Sequence, residues 1–157
     1  SILEKNTNVL VETLTIDGAS FETIPVDELK YKFALIENDL FKIKQKSFTD
    51  WNVADVYTSL QNNISKLHIV YSEDKYGGFL ITQVISHELT GETILHVWAT
   101  YSKSEYNYKK AGFLFLDQLA EKLNVDAIEF VTSRAGWSQI APMYGFDLLT
   151  YTYRKDL

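Results

Sequence analysis

The sequence predicts an α/β fold in which one mixed, mainly antiparallel sheet lies between helices, with the element order β-α-α-β-β-β-α-β-α-β. Three observations carry that expectation. Apolar residues recur at helical steps in separate stretches, the longest being Leu29, Phe33, Ile36, Leu40 and Ile43. In the middle strands both alternation classes are apolar, with Phe79, Ile81 and Ile85 on one side and Leu80 and Val84 on the other, so both faces of the sheet must be covered. A helical stretch then separates two late strands, which places at least one parallel pair in the sheet.

The first strand is read over Val9–Ile16, where Val9, Leu10, Val11, Thr13, Leu14, Thr15 and Ile16 are β-branched or apolar and Asp17-Gly18 marks a turn. The helix carried by Leu29 to Ile43 follows, with its cap near Asp27. A second helix is predicted over about 51–62 on Val53, Val56, Tyr57 and Leu60, behind the cap candidates Thr49 and Asp50. Leu67–Tyr71 and Gly78–Ile85 then form a hairpin around 72–77, and Thr90-Gly91 closes a second one into Thr93–Tyr101. With a two-residue turn there, His87 would oppose Ile94 and His96 would oppose Ile85. Beyond a polar loop over 102–110, Phe113, Leu116, Leu119, Ala120 and Leu123 predict a third helix. A strand over Asp126–Thr132, a short helix over Gly136–Met143 and a last strand over Phe146–Tyr153 complete the order.

Composition narrows the function classes. At 157 residues and 46% hydrophobic, the chain reads as one domain over 1–157, with 1–8 as a flexible tail. Such a chain buries roughly 70% of its unfolded surface and needs no staples. It has no Cys, which removes disulfides, thiolate metal sites and a cysteine nucleophile. Fifteen Lys and Arg against 21 Asp and Glu give a net charge of −6, which argues against nucleic acid and anionic membrane surfaces as partners. No apolar run approaches the ~20 residues of a membrane span, so a cytoplasmic or particle-packaged location is expected. The three histidines, His68, His87 and His96, have no zinc spacing, and the two that a hairpin would bring together are too few ligands for a metal.

Three local features give the chain a family likeness. Gly77-Gly78-Phe79-Leu80-Ile81, the stretch from Thr93 through Leu123, and Tyr144-Gly145-Phe146 together resemble the GNAT superfamily of acyl-CoA N-acyltransferases. Within it, Phe48-Thr49 with Asp55-Val56, and Arg134-Ala135-Gly136-Trp137, are similar to divergent GNAT-like proteins of tailed phages, some of them named internal virion proteins. The resemblance covers about 9–154 and implies acetyl-CoA as co-substrate and an amine as acceptor. The family's pyrophosphate loop, Gln/Arg-x-x-Gly-x-Gly/Ala, aligns with Lys109-Lys110-Ala111-Gly112-Phe113-Leu114, where one glycine is kept and Leu114 replaces the final small residue. Such a loop binds anions through the unpaired first-turn N–H groups of a helix, and Lys109 and Lys110, with Lys103 near them, suit a diphosphate. A solvated polar turn is the plain alternative.

By position, the resemblance also implies that Trp98, Ala99, Thr100 and Tyr101 pair with the pantetheine arm through their backbone. The carboxylate common early in the family's fourth strand is absent. His96 is the titratable residue of that strand and Glu129 of the next, so either is the candidate base, against a structural role for His96 and a solvent-facing one for Glu129. The usual acid position is Ala141, which leaves Tyr144 as candidate acid or as a packing residue. The family's seventh strand has no counterpart. Tyr151 and Tyr153 alternate on the last predicted strand, whose edge would suit a homo-oligomer or another protein. Two functions follow: an N-acetyltransferase using a coenzyme A thioester in the host-cell cytoplasm, or a catalytically inactive phage virion or accessory protein acting through protein contacts.

Overall fold

The computed structural model describes residues 12–47 and 49–157, so the predicted strand residues 9–11, the tail 1–8 and Phe48 lie outside it. Strands β1 (Glu12–Ile16) and β2 (Ala19–Thr23) form a hairpin. Its turn residues Asp17 (φ 50°) and Gly18 (φ 80°) both lie in the left-handed region that a tight two-residue hairpin requires. β2 was not anticipated. Its signal is the alternation of buried Ala19 and Phe21 with Ser20 and Glu22, directly after the Asp-Gly turn.

After a 3₁₀ turn at Val26–Glu28 come the helices α1 (Leu29–Gln45) and α2 (Val53–Gln61). The cap of α2 is Asn52, not Thr49 or Asp50. Its Oδ1 accepts from the Asp55 N–H at 2.8 Å while the Asp55 carboxylate accepts from the Asn52 N–H, a reciprocal box that ties both ends of the first turn. The long strands β3 (Ser65–Ser72), β4 (Lys75–Ser86) and β5 (Thr93–Ser102) follow as an antiparallel meander. Helix α3 (Lys109–Leu123) then leads to β6 (Ala127–Phe130), which lies parallel to β5. The helical turn α4 (Trp137–Ile140) continues into a 3₁₀ turn at Ala141–Tyr144.

The sheet order is β1-β2-β3-β4-β5-β6, and both faces are covered at its centre as the two-sided apolar pattern requires. On one face α1 and α2 bury Leu29, Phe33, Ile36, Leu40, Val56 and Leu60 against Leu67, Ile69, Phe79 and Ile81. On the other, α3 buries Ala111, Phe115, Leu116 and Leu119 against Phe21, Val70, Leu80, Leu95 and Val97, with the Phe21 and Phe115 rings stacked at 4.6 Å.

Two expectations are corrected. The β4–β5 hairpin is closed not by a two-residue turn but by a longer loop, with the His87 N–H donating to the Glu92 carbonyl at 2.8 Å and the Gly91 N–H to the His87 carbonyl at 2.9 Å. Ile85 therefore opposes Ile94 and His96 opposes Gln83. His87 and His96 end up four strand residues apart, about 13 Å, and among the described residues no group of three potential ligands could hold a metal. The predicted strand over 146–153 is also not formed. Phe146 packs on Phe113 and Phe130, but the residues after it pair with no strand. β-propensity expresses how well a side chain fits a sheet, and without a ladder partner it forms no strand.

The core holds one ionisable ring that no surface group serves. His68, 1% exposed, lies between two threonines, its Nδ1 2.8 Å from Thr23 Oγ1 and its Nε2 2.8 Å from Thr82 Oγ1. Burial, with a small contribution from Lys66, pushes its pKa from 6.5 down to about 3, so the folded protein keeps it neutral. Above pH 6.5 the residue is neutral in both states and costs nothing. Between 6.5 and about 3 the unfolded chain takes the proton and the folded one does not, so stability falls with pH by up to about 1.4 kcal/mol per unit. Urea titrations at successive pH values should show this slope, and His68→Gln should remove its share. Parallel slopes for the two proteins would contradict the assignment.

Candidate functional site

The site begins at an irregularity in β5. Ile81 of β4 opposes Ala99 while Thr82 opposes Val97, so Trp98 is an extra residue with no counterpart on β4. A bulge of this kind bends the strand and increases its twist. At the same place β5 loses its other neighbour, because the parallel ladder runs through Ile94–Ala127, Leu95–Ile128, His96–Glu129 and Val97–Phe130 and stops. From Trp98 to Ser102 the edge that faced β6 has no strand beside it among the described residues. The four positions Trp98, Ala99, Thr100 and Tyr101 thus lie on an open backbone edge.

The loop after β5 is tied back to β4. The Lys103 N–H donates to the Gly77 carbonyl at 2.8 Å, and the Tyr108 hydroxyl is 2.6 Å from Ser72 Oγ. Both glycines of Gly77-Gly78 are required by close approach. A Cβ at Gly77 would overlap the Tyr108 hydroxyl, and one at Gly78 the Tyr101 carbonyl. The same ties set the start of α3 at the open end of β5.

At that start, the Lys109 N–H donates to Asn107 Oδ1 at 3.2 Å and the Gly112 N–H to the Tyr108 carbonyl. Among the described residues no acceptor takes the N–H of Lys110 or Ala111. Lys109 and Lys110 are exposed and in no described ion pair, whereas the Lys103 ammonium lies 5.3 Å from the centre of the Tyr76 ring. A Cβ at Gly112 would meet nothing within 4 Å, so the fold leaves open space where a side chain would otherwise stand. Leu114 is partly exposed on this helix, while Phe113 is spent on packing: its ring stacks on Tyr144 at 4.2 Å and meets Trp137 edge-on at 6.0 Å. An acyl-coenzyme A fits these residues as a group with an extended amide-bearing arm and a diphosphate, which call for a free strand edge and free helix N–H groups respectively.

The structure brings the two candidate bases together. His96 and Glu129 are register partners on β5 and β6, in a row that continues through Gln83 to Ser65. Gln83 Nε2 donates to Ser65 Oγ at 2.9 Å, and Ser65 Oγ lies 2.7 Å from Ser59 Oγ of α2. This row is on the α1–α2 face, as is Trp98, whose ring meets Trp51 edge-on at 4.9 Å. Half-burial lowers the His96 pKa, opposed by the Glu129 charge. Tyr144, by contrast, packs with the apolar cluster on the α3 face.

Sequence reasoning missed Trp51 and Asp39. Trp51 Nε1 donates to Ser47 Oγ at 2.9 Å, which fixes the indole in the α1–α2 connection. Asp39 is 7% exposed and accepts from the Tyr76 hydroxyl at 2.8 Å and the Lys42 ammonium at 3.3 Å. Burial, then the hydrogen bond to Asp39 and its charge, raises the Tyr76 pKa well above the usual phenol range, so the phenol stays a donor. The signal for Asp39 was a carboxylate on the apolar stripe of a helix, between Ile36 and Leu40.

No protein-family model matches the chain, and no curated protein matches it in sequence. Solved structures do match it in shape. A predicted acetyltransferase from Clostridium acetobutylicum, with acetyl-CoA, superposes with a TM-score of 0.62 at 15% identity, over 88% of this chain and 96% of its own. A ribosomal-protein-alanine N-acetyltransferase from Brucella melitensis biovar Abortus 2308 gives 0.63 at 14% identity, over 88% and 99%. A GNAT family acetyltransferase from Staphylococcus aureus gives 0.61 at 15%, over 89% and 99%. The chain has the GNAT acetyltransferase fold.

The glycines of this GNAT fold separate structure from binding. Gly78→Ala should cost about 1–3 kcal/mol, because the added methyl forces β4 and β5 apart. Gly112→Ala should be neutral or stabilising by up to ~1 kcal/mol, since the helix gains propensity and meets no clash. Urea unfolding of both variants checks this. Destabilisation by Gly112→Ala would mean that the open space at α3 belongs to the fold.

Proposed function

We propose that the protein transfers an acetyl group from acetyl-CoA to an amine. The observation that carries this reading is the parting of β5 from β6 after Val97 and Phe130, at a bulge, with the start of α3 at the open end. In this reading the backbone of Trp98, Ala99, Thr100 and Tyr101 pairs with the pantetheine amides. The first turn of α3, from Lys109 through Leu114, receives the pyrophosphate on the N–H groups of Lys110 and Ala111, and Lys109 and Lys110 add charge. Gly112 keeps that approach open. The thioester supplies an activated acyl carbon.

The chain's own part is to hold the amine beside that carbon and to manage two protons. His96, neutral because burial holds its pKa below 6.5, takes the proton of the incoming ammonium through water, and Glu129 beside it steadies the resulting imidazolium. The nitrogen forms the amide bond as the carbon–sulfur bond breaks, and the departing thiolate takes a proton. Tyr144 is the candidate donor, its ring fixed by Phe113. Orientation supplies the larger share of the acceleration.

Calorimetry with acetyl-CoA tests the binding half: Gly112→Glu should abolish binding while leaving the thermal midpoint near that of the parent. Binding that survives in Gly112→Glu would remove the loop from the site. Release of the coenzyme A thiol over a panel of primary amines tests the chemistry. His96→Asn should lower kcat/KM by about 10²–10⁴. In the parent, the inflection of the pH profile due to His96 should lie on the acid side of the usual imidazole value of 6.5, with activity falling as pH drops through it, because burial lowers its pKa. Tyr144→Phe keeps the stacking, so a rate loss at unchanged stability would belong to the hydroxyl.

A second reading, in which the fold serves without chemistry as a phage virion or accessory protein, draws support from the exposed Leu148, Leu149, Tyr151 and Tyr153, which offer a protein-binding surface. Absence of acetyl-CoA binding would favour it.

A further inference from the structure

On the α1–α2 face the sheet carries apolar side chains that no helix covers. Leu95 and Val97 of β5 pack on the α3 face, so Ile94 and His96 between them point to the α1–α2 side, and the register sets Ile85 of β4 and Ala127 of β6 on either side of Ile94. Ile85 and Ile94 belong to neither packed cluster, and Ile85 is 43% exposed. Together with Leu89, 91% exposed in the hairpin loop, they line an open hollow of about 390 Å³ completed by Ser86, His87 and Glu88. This shelf is continuous with the site. Ile85, Ile94 and Ala127 each stand two residues from Gln83, His96 and Glu129 on the same strands, so the hydrocarbon begins about 7 Å from the polar row. On the far side of that row lie Trp98 and the parting of β5 from β6.

The chemistry of this surface selects its occupant. Glu129 is the one carboxylate of the row, which suits one cationic centre, and Ile85, Ile94 and Ala127 beside it carry no charge or hydrogen-bonding group. Ile94 sits between the ladders to β4 and β6, so its backbone is already paired and this part of the face presents hydrocarbon only, as an alkyl body requires and a peptide does not. We infer that the acceptor is a primary alkylamine, its ammonium entering between His96 and Glu129 and its tail lying over Ile94 and Ile85 towards Leu89, an assignment that rests on the acetyl-transfer reading above. The alkylammonium and acetyl-CoA give the N-alkylacetamide, the coenzyme A thiol and one proton. Ile85, Ile94 and Leu89 then set specificity by length, because each methylene that reaches the shelf leaves water and should raise kcat/KM about two- to fourfold.

Release of the coenzyme A thiol with butylamine, hexylamine, hexamethylenediamine and a peptide with a free N-terminus tests this on the parent protein. Hexylamine should exceed butylamine in kcat/KM by about 4–16-fold, and the diamine, whose far ammonium would lie on hydrocarbon, should fall below hexylamine. Equal rates for the two monoamines overturn the proposal, and so does a preference for the diamine, as a partner of Glu88, or for the peptide. Ile85→Thr/Leu89→Ser, at two exposed positions, should bring the ratio of hexylamine to butylamine towards one. The ratio cancels any general loss of activity, and an unchanged ratio overturns the role of these residues. Methyl NMR of isoleucine-labelled protein reads the shelf without turnover: hexylamine should shift the Ile85 and Ile94 methyl signals more than butylamine does. If these signals move but no amine is acetylated, the transfer reading falls and the shelf stands as a site for alkylammonium ions. If amines are acetylated and the signals stay still, the shelf falls and the transfer reading stands.

Discussion

At Trp98 strand β5 carries one residue more than its partner β4, and within the same turn of chain it parts from β6. Most of what the molecule can do depends on that coincidence. Before the bulge, Leu95 and Val97 face α3; after it, Ala99 and Tyr101 face α1 and α2. The inserted residue therefore reverses the side-chain alternation, and it does so where the ladder to β6 ends. A backbone edge is exposed without exposing core, because Trp98, Ala99 and Tyr101 stay packed and only the polar Thr100 and Ser102 are exposed. An open edge in a sheet interior is costly unless something pairs with it, which is why such a cleft is a place for an extended ligand.

The ties around the cleft explain how it stays open. Tyr108 and Lys103 bind the outgoing loop to Ser72 and Gly77, so the helix that follows starts at a fixed point. On the opposite face Asp39 holds the Tyr76 hydroxyl, linking α1 to β4. This is a buried carboxylate with two donors and no described orphan atom near it, consistent with the rule that buried polar groups are satisfied or absent. His68 follows the same rule, with a threonine at each nitrogen. Satisfied side-chain networks thus lie on both faces of the sheet while its edge is left free.

The elements with a strong period could be read from the sequence, and so could the cover on both faces of the middle strands. What could not be read was pairing. Residues 146–153 have the composition of a strand and form none, while Ala19–Thr23, short and half polar, form one because Asp17-Gly18 delivers them to β1 and β3. The turn at Thr90-Gly91 misled in the same way: two suitable residues suggest a two-residue loop, but the His87 and Glu92 backbone groups close a longer one and move His96 opposite Gln83. At the site, it was the family resemblance of Lys109–Leu114, not the spacing of glycine and lysine alone, that pointed to the start of α3. The neighbourhood of His96 and Glu129 was invisible, since it is set by a parallel register across a helical crossover. Trp51 was invisible for a related reason, its role arising only when the α1–α2 connection folds over Trp98.

The placement of His96 beside Glu129 at the edge of this cleft is chemically coherent with the proposed function. A carboxylate base in a half-buried place gains proton affinity from desolvation, whereas an imidazole loses it. At His96 that loss keeps the ring neutral near pH 7, the state in which a base can accept, and Glu129 partly restores the affinity. In the proposed transfer the pair would do what a single carboxylate does elsewhere, with the charge placed one strand away. Thioester aminolysis asks little more of a protein than this. The acyl group arrives activated, so holding an amine within reach of it can account for ~7–11 kcal/mol of the barrier, and one proton acceptor for a smaller part. Leu114, where the family pattern has a small residue, would reduce the contact with the proposed coenzyme, but the open edge of β5 and the free N–H groups of α3 are backbone features, and backbone geometry survives changes of side chain.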